Sequence, residues 1–224
     1  MSNWLSLIPS EVRNLYEIHN YNHAAEILAQ GCTEEFNELM DALVRFSVTT
    51  EEILLPGGNE SQIPKKFSHL LRPLNWYETR IQGDLLIKMD VYGNQQKQVI
   101  EKRISNFIDG HKIDYVKNRV AFDLEWNSKD QTFDRDLYAF RAFHDCGIIS
   151  AGVLVTRCAE LNDIFKHLDV MHKYGASTTW MGKLIPRLET GRHGGCPVLA
   201  LGIKKKLVSD WVEPEEKGEV GNEE

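Results

Sequence analysis

The sequence predicts an α/β fold, with a central mixed β-sheet flanked by helices. Three observations lead there. The first fifty residues space their apolar side chains as helices do. The middle of the chain shifts to short strand-like runs. Two largely apolar runs, IISAGVLVT and VLALGI, follow with helical segments between them.

In chain order, Ser10 opens a helix near Glu11, with Leu15, Ile18, Ala25 and Leu28 among its apolar positions and Gly31 as its stop. Thr33 caps a second helix, in which Phe36, Leu39, Met40, Leu43 and Val44 fall at helical spacing. Residues 55–64, LPGGNESQIP, read as a loop. The run DLLIKMDVY, Asp84 to Tyr92, reads as a strand, and Gly93-Asn94 is a turn signal. Gln95 to Phe107 returns to helical spacing. IDYVKNRVAFDLEW, residues 113–126, then gives two short strands around a turn at Lys117-Asn118-Arg119. Thr132 opens an amphipathic helix through His144, with Leu137, Phe140 and Ala142 or Phe143 on its apolar side, and Gly147 ends it. Ile148 to Thr156 is a buried strand. One helix spans Glu160 to Leu168, and another runs from Thr178 to Leu188 with Pro186 marking a bend or an end. Val198 to Ile203 is the last strand.

A chain of 224 residues with 42% hydrophobic content suits one domain with a sizeable core, assigned to residues 1–212. No run of eighteen apolar residues exists, so a membrane span is not expected. The start lacks the basic and apolar segments of a signal peptide. Cys32, Cys146, Cys158 and Cys196 form no C-x-x-C pair, which reads as reduced thiols in a cytoplasmic protein rather than a zinc or disulfide framework. The net charge is −7, but Glu213 to Glu224 holds six acids and one lysine and accounts for −5 of it. The body is therefore near neutral, and basic residues can still line one face. The polar tail, 213–224, is expected to be disordered.

The chemistry concentrates in VAFDLEW. Residues two apart on a strand share a face, so Asp123 and Glu125 point together while Phe122, Leu124 and Trp126 point away. Asp114 precedes Asp123 by nine residues across the hairpin turn, and strand pairing brings the two close. Unpaired carboxylates are costly to bury. Two carboxylates plus a main-chain carbonyl are the hard oxygen ligands that Mg²⁺ takes, with water completing the shell. The competing reading of the same spacing is the solvated face of an edge strand, and spacing alone leaves both open.

These residues also carry a resemblance. The pattern D-x8-[D/E]-x-[K/E/Q] on a hairpin, followed by helix and strand, resembles the PD-(D/E)xK nuclease core. Tyr21 to Leu28, YNHAAEIL, and Gly175 to Ile203, GASTTWMGKLIPRLETGRHGGCPVLALGI, resemble stretches of the BglII/BstYI family of type II restriction endonucleases. The likeness covers most of residues 17–203. It implies a restriction-endonuclease-like core, Mg²⁺ as cofactor, Asp114 and Asp123 as metal ligands assisted by the Leu124 carbonyl, and a homodimer on double-stranded DNA at a short palindrome, with family targets centred on GATC. Glu125 departs from the pattern, since the wider superfamily has lysine there and the nearest relatives glutamine. Its role is left between accepting the proton of the attacking water and orienting that water. Glu101, read as lying on the preceding helix, either completes the acidic cluster or is solvated. Family position makes Ser177, Thr178 and Thr179 candidates for base edges. Arg192 and His193 in the glycine-rich loop, and Lys117 at the hairpin turn, are candidates for other DNA contacts.

Lys204 to Lys206 either touch phosphate or solvate a strand end. His19 and His23, four apart on the expected first helix, fit a metal pair but find no third ligand and read as structural. Two other readings compete: a structure-specific or repair nuclease on the same core, and a DNA-binding protein that has lost catalysis.

Overall fold

The computed structural model describes residues 3–56, 61–93 and 96–213. Its elements are α1 (Ser10–Leu15), β1 (Tyr16–Tyr21), α2 (Ala24–Gly31), α3 (Thr33–Arg45), α4 (Thr50–Leu54), α5 (Gln62–Leu71), β2 (Tyr77–Tyr92), β3 (Lys97–Lys117), β4 (Val120–Glu125), α6 (Thr132–Asp145), β5 (Ala151–Arg157), α7 (Leu161–His167), α8 (Met181–Glu189) and β6 (Val198–Ile203). The six strands form one mixed sheet in the order β1-β6-β5-β4-β3-β2. β4, β5 and β6 run parallel to their neighbours among themselves, and β1, β3 and β2 are antiparallel additions at the two sides.

Every residue of β4, β5 and β6 is buried, the mark of strands covered on both faces. On one face Phe122, Val153, Val155, Leu199 and Leu201 pack with the N-terminal helices and α7. On the other, Ala121, Leu154 and Ala200 pack with Phe133, Leu137 and Phe140 of α6 and Met181 and Leu184 of α8. Gly152 on β5 lets α6 come this close, because a Cβ there would overlap the Phe140 ring. Asp123 and Glu125 alternate onto the α6 face of β4 by the same period of two.

Three sequence expectations are corrected. The single helix expected from Glu11 to Gly31 is interrupted: α1 ends at Leu15, and Tyr16–Tyr21 becomes β1, paired residue for residue with β6. The strand closes at Asn22 and His23, both with positive φ (51° and 59°). Sheet pairing outweighs helical spacing here because it covers the edge of β6. Second, Gln95 to Phe107 is no helix. Lys97 onward is β3, hydrogen-bonded along its length to β2. The turn residue Asn94 lies outside the described residues, as do 57–60 of the expected loop and most of the acidic tail. Third, neither Ser10 nor Thr33 caps its helix. Ser10 Oγ donates to Glu11, and Thr33 Oγ1 donates back to the Ala29 carbonyl. Lesser shifts occur at β5, which starts at Ala151, and at α8, which starts at Met181 and continues past Pro186 to Glu189.

β2 and β3 form a long arm. β3 joins β4 only at Tyr115–Lys117, and its earlier residues pair with β2 alone. The arm is two-sided. The register puts Leu85, Ile87, Met89, Val91, Ile100 and Ile104 on one face. That face also holds Gln98 and Lys102, and the other carries the ion pairs Lys88–Glu101, Lys97–Asp90 and Arg103–Asp84 together with the exposed Leu86, Tyr92 and Val99. Met89 and Val91 are 41% and 45% exposed. Among the described residues no helix is long and apolar enough to cross a membrane.

Candidate active site

The site forms where the hairpin of β3 and β4 meets the parallel strands. Asn118, at φ 47°, turns the chain, and Tyr115 pairs with Phe122. One step on, the Asp114 backbone N–H donates to Asp123 Oδ1 at 2.9 Å. Residues nine apart in sequence are thereby joined beside an open cleft of about 720 Å³, lined by Asp114, Leu124, Glu125, Ser128, Arg72 and Lys173 among others, while Asp123 is buried next to it. The far end of β4 is anchored from β5: Thr156 Oγ1 donates to the Glu125 carbonyl at 2.7 Å, and Arg157 Nε to the Trp126 carbonyl at 2.7 Å.

A fourth acid joins from α6. Asp136 is 3% exposed and abuts Glu125. Burial holds the Asp123 carboxyl well above the ordinary carboxylate range, and the charges of Asp136 and Asp114 push the same way. Asp136 is raised in the same manner, by burial and then by Glu125. Burial also raises Glu125, against the pull of Ser128 and Arg135. Asp114 is raised by burial and by Glu78, opposed by Arg135 and Arg72. Asp136 was missed by the motif, although its place on the stripe of Phe133, Leu137 and Phe140 marks it as an acid on a buried face.

Among the described residues no three His, Cys, Asp or Glu side chains are grouped to hold a metal ion by themselves. A magnesium ion does not require that, since it is bound through one or two carboxylates and keeps several waters. The residues fit such a cation. Glu125 Oε2 and Asp136 Oδ2 are buried without a hydrogen-bond donor, and all four carboxyls are held in a state that a nearby cation would relieve.

The other expected site residues are placed differently. Glu101 lies on β3, ion-paired with Lys88 at 3.0 Å. It lies thirteen positions before Asp114 along the strand, roughly 40 Å of extended chain, so it does not join the cluster. Lys117 Nζ is held by Glu34 and Glu38 at 2.9 and 2.7 Å, which ties the hairpin to α3 instead of offering a cation to DNA. Thr179 is fully buried. The Thr178 hydroxyl accepts from Arg157 and donates to the Gly175 carbonyl, so both its functions are satisfied internally. His193 is 4% exposed and meets Tyr21 edge-on. Arg192 is half-exposed and ion-paired with Asp134. Ser177 alone of the three hydroxyl residues is exposed. His19 and His23 lie on β1 and its turn, each beside a glutamate. Lys204 and Lys206 reach α1 at the Arg13 carbonyl and Asn14, and Lys205 reaches Glu213.

A mixed sheet that sets a hairpin acid against a buried acidic strand, beside a cleft and under a helix bearing another acid, defines a restriction-endonuclease-like core, that of a DNA nuclease. The chain matches the family model described as restriction endonuclease BglII/BglIII over residues 16–203, most of its length. It belongs to that family. No curated protein matches it.

Proposed function

We propose that the protein is a type II restriction endonuclease that cuts double-stranded DNA at a short palindrome, with Mg²⁺ as cofactor. The observation that carries this reading is the bond between the Asp114 N–H and Asp123 Oδ1, which sets two acids side by side next to the cleft. Asp114 and Asp123, with the Leu124 carbonyl between Asp123 and Glu125, would hold the ion. When bound, the ion lowers the pKa of a coordinated water and stabilises charge on the phosphoryl group. Glu125 stands on the same face as Asp123, buried and lacking a donor at Oε2, and serves to accept a proton from the attacking water or to fix its direction. Leu124 and Trp126 on the opposite face of β4 belong to the core and keep these acids from shifting.

The family match supports the nuclease reading, and the closed α/β core supports a domain within residues 1–212. Two copies suit a two-fold site, with one active centre on each strand. The exposed aliphatic face of the β2–β3 arm supports this, because a two-stranded ribbon alone is only marginally stable in water. We place the second copy against that face. The test is incubation of a random-sequence DNA library with and without Mg²⁺. Metal-dependent ends sharing one two-fold-symmetric motif, with GATC as the expected centre, are the predicted result. Ends without a shared motif would favour a repair-type nuclease, and intact DNA in both arms a binding protein without catalysis.

A further inference from the structure

A DNA phosphate entering the cleft meets Asp114 and Glu125 on its wall, with the buried Asp123 and Asp136 beside them. Such a cluster repels an anion, so a cation must stand beside it. The structure has one on α6. Arg135 Nη2 lies 3.2 Å from Asp136 Oδ1 and 3.9 Å from Glu125 Oε1, and Nε lies 3.3 Å from the same Asp136 oxygen. The two bonds use one edge of a guanidinium that carries five N–H donors. The side chain is 68% exposed, unlike the buried acids it touches. It also stands on a rigid element, since Phe133, Leu137 and Phe140 lock α6 to the sheet.

Neutralising Asp136 does not by itself require an exposed guanidinium. Here one partner is buried and the guanidinium is exposed beside Glu125, a residue of the cleft wall, and it carries the planar fork that matches a phosphate. We propose that Arg135 is a catalytic residue that grips the scissile phosphate, offsetting the acids on binding and stabilising the charge that builds on the non-bridging oxygens during attack. This rests on the nuclease reading above and adds to it a residue outside the hairpin motif.

The experiment is a double-mutant cycle between protein and DNA. The probe is a duplex bearing the site recovered from the library, made with either the natural scissile phosphate or a neutral methylphosphonate there, and bound in EDTA so that no cleavage occurs. The preference for the natural over the neutral duplex should fall at least about fivefold from the parent protein to Arg135→Gln, with Arg135→Lys between them. A methylphosphonate two positions away should show no such coupling. Single-turnover cleavage by Arg135→Gln should fall about 10²-fold. An unchanged preference in both variants would overturn the proposal, and the lysine variant alone decides it if the glutamine variant fails to fold. A parent that cuts DNA while the preference stays fixed would remove only Arg135's role. A parent that neither binds nor cuts DNA would remove the nuclease reading with it.

Discussion

Asp123 is a carboxylate in a place built for apolar side chains. Its folded pKa is raised, so the folded protein binds this proton more readily than the unfolded chain. In metal-free buffer stability therefore falls as pH rises from the ordinary aspartate range through the raised folded value. Asp123→Asn keeps an acceptor for the Asp114 N–H and removes the charge. It should stabilise the metal-free protein at neutral pH by about 1–3 kcal/mol in urea denaturation, and the gain should vanish as the pH is lowered. The same variant should lose cleavage, keep specific DNA binding and bind Mg²⁺ more weakly by calorimetry. Undiminished Mg²⁺ affinity would refute the ligand assignment. Glu125 separates two mechanisms. As a positioning group, its exchange for glutamine should leave measurable cleavage. As a general base, the same change should cost about 10²- to 10⁴-fold in rate. Full activity in Glu125→Ala would contradict both. The acids of β4 were legible in the sequence because strand alternation is local. Thr179 and His193 were misread, because only packing decides whether a hydroxyl or imidazole reaches solvent.

At the scale of elements, the β2–β3 arm is the feature that spacing misjudged. Ile100, Ile104 and Phe107 fit a helical stripe, yet the chain pairs with β2, whose Leu85, Ile87, Met89 and Val91 fall on one face at a period of two. A neighbouring strand with matching period supplies backbone partners that local spacing does not reveal. The aliphatic face so formed gives a prediction of its own. Met89→Lys combined with Ile100→Lys should weaken self-association at least about tenfold, or 1.4 kcal/mol, read by sedimentation. Circular dichroism should stay that of the parent, since both residues lie beyond the part of the arm that packs on α6. An unchanged monomer–dimer equilibrium would move the interface elsewhere. β1 was lost in a helical reading for the same reason: its partner β6 lies some 180 residues away.

For the whole molecule, net charge and DNA binding are reconciled by where the charge lies. Truncation before Glu213 should leave fold and site preference intact. Nonspecific duplex affinity should rise, most at low salt, where screening is weak. Equal nonspecific affinity at low salt would show that the tail does not repel DNA. What the sequence determined by itself is what depends on neighbours along the chain. That includes the apolar strands β4, β5 and β6, the hairpin with its two acids, the helix of α6 and the α/β class. The tertiary structure alone decided which groups separated in sequence share one site. It brought Asp136 and Arg135 beside Glu125, moved Glu101 away along the arm, and paired Lys117 with α3. Burial and pairing are properties of the assembled sheet and helices, and no local period encodes them.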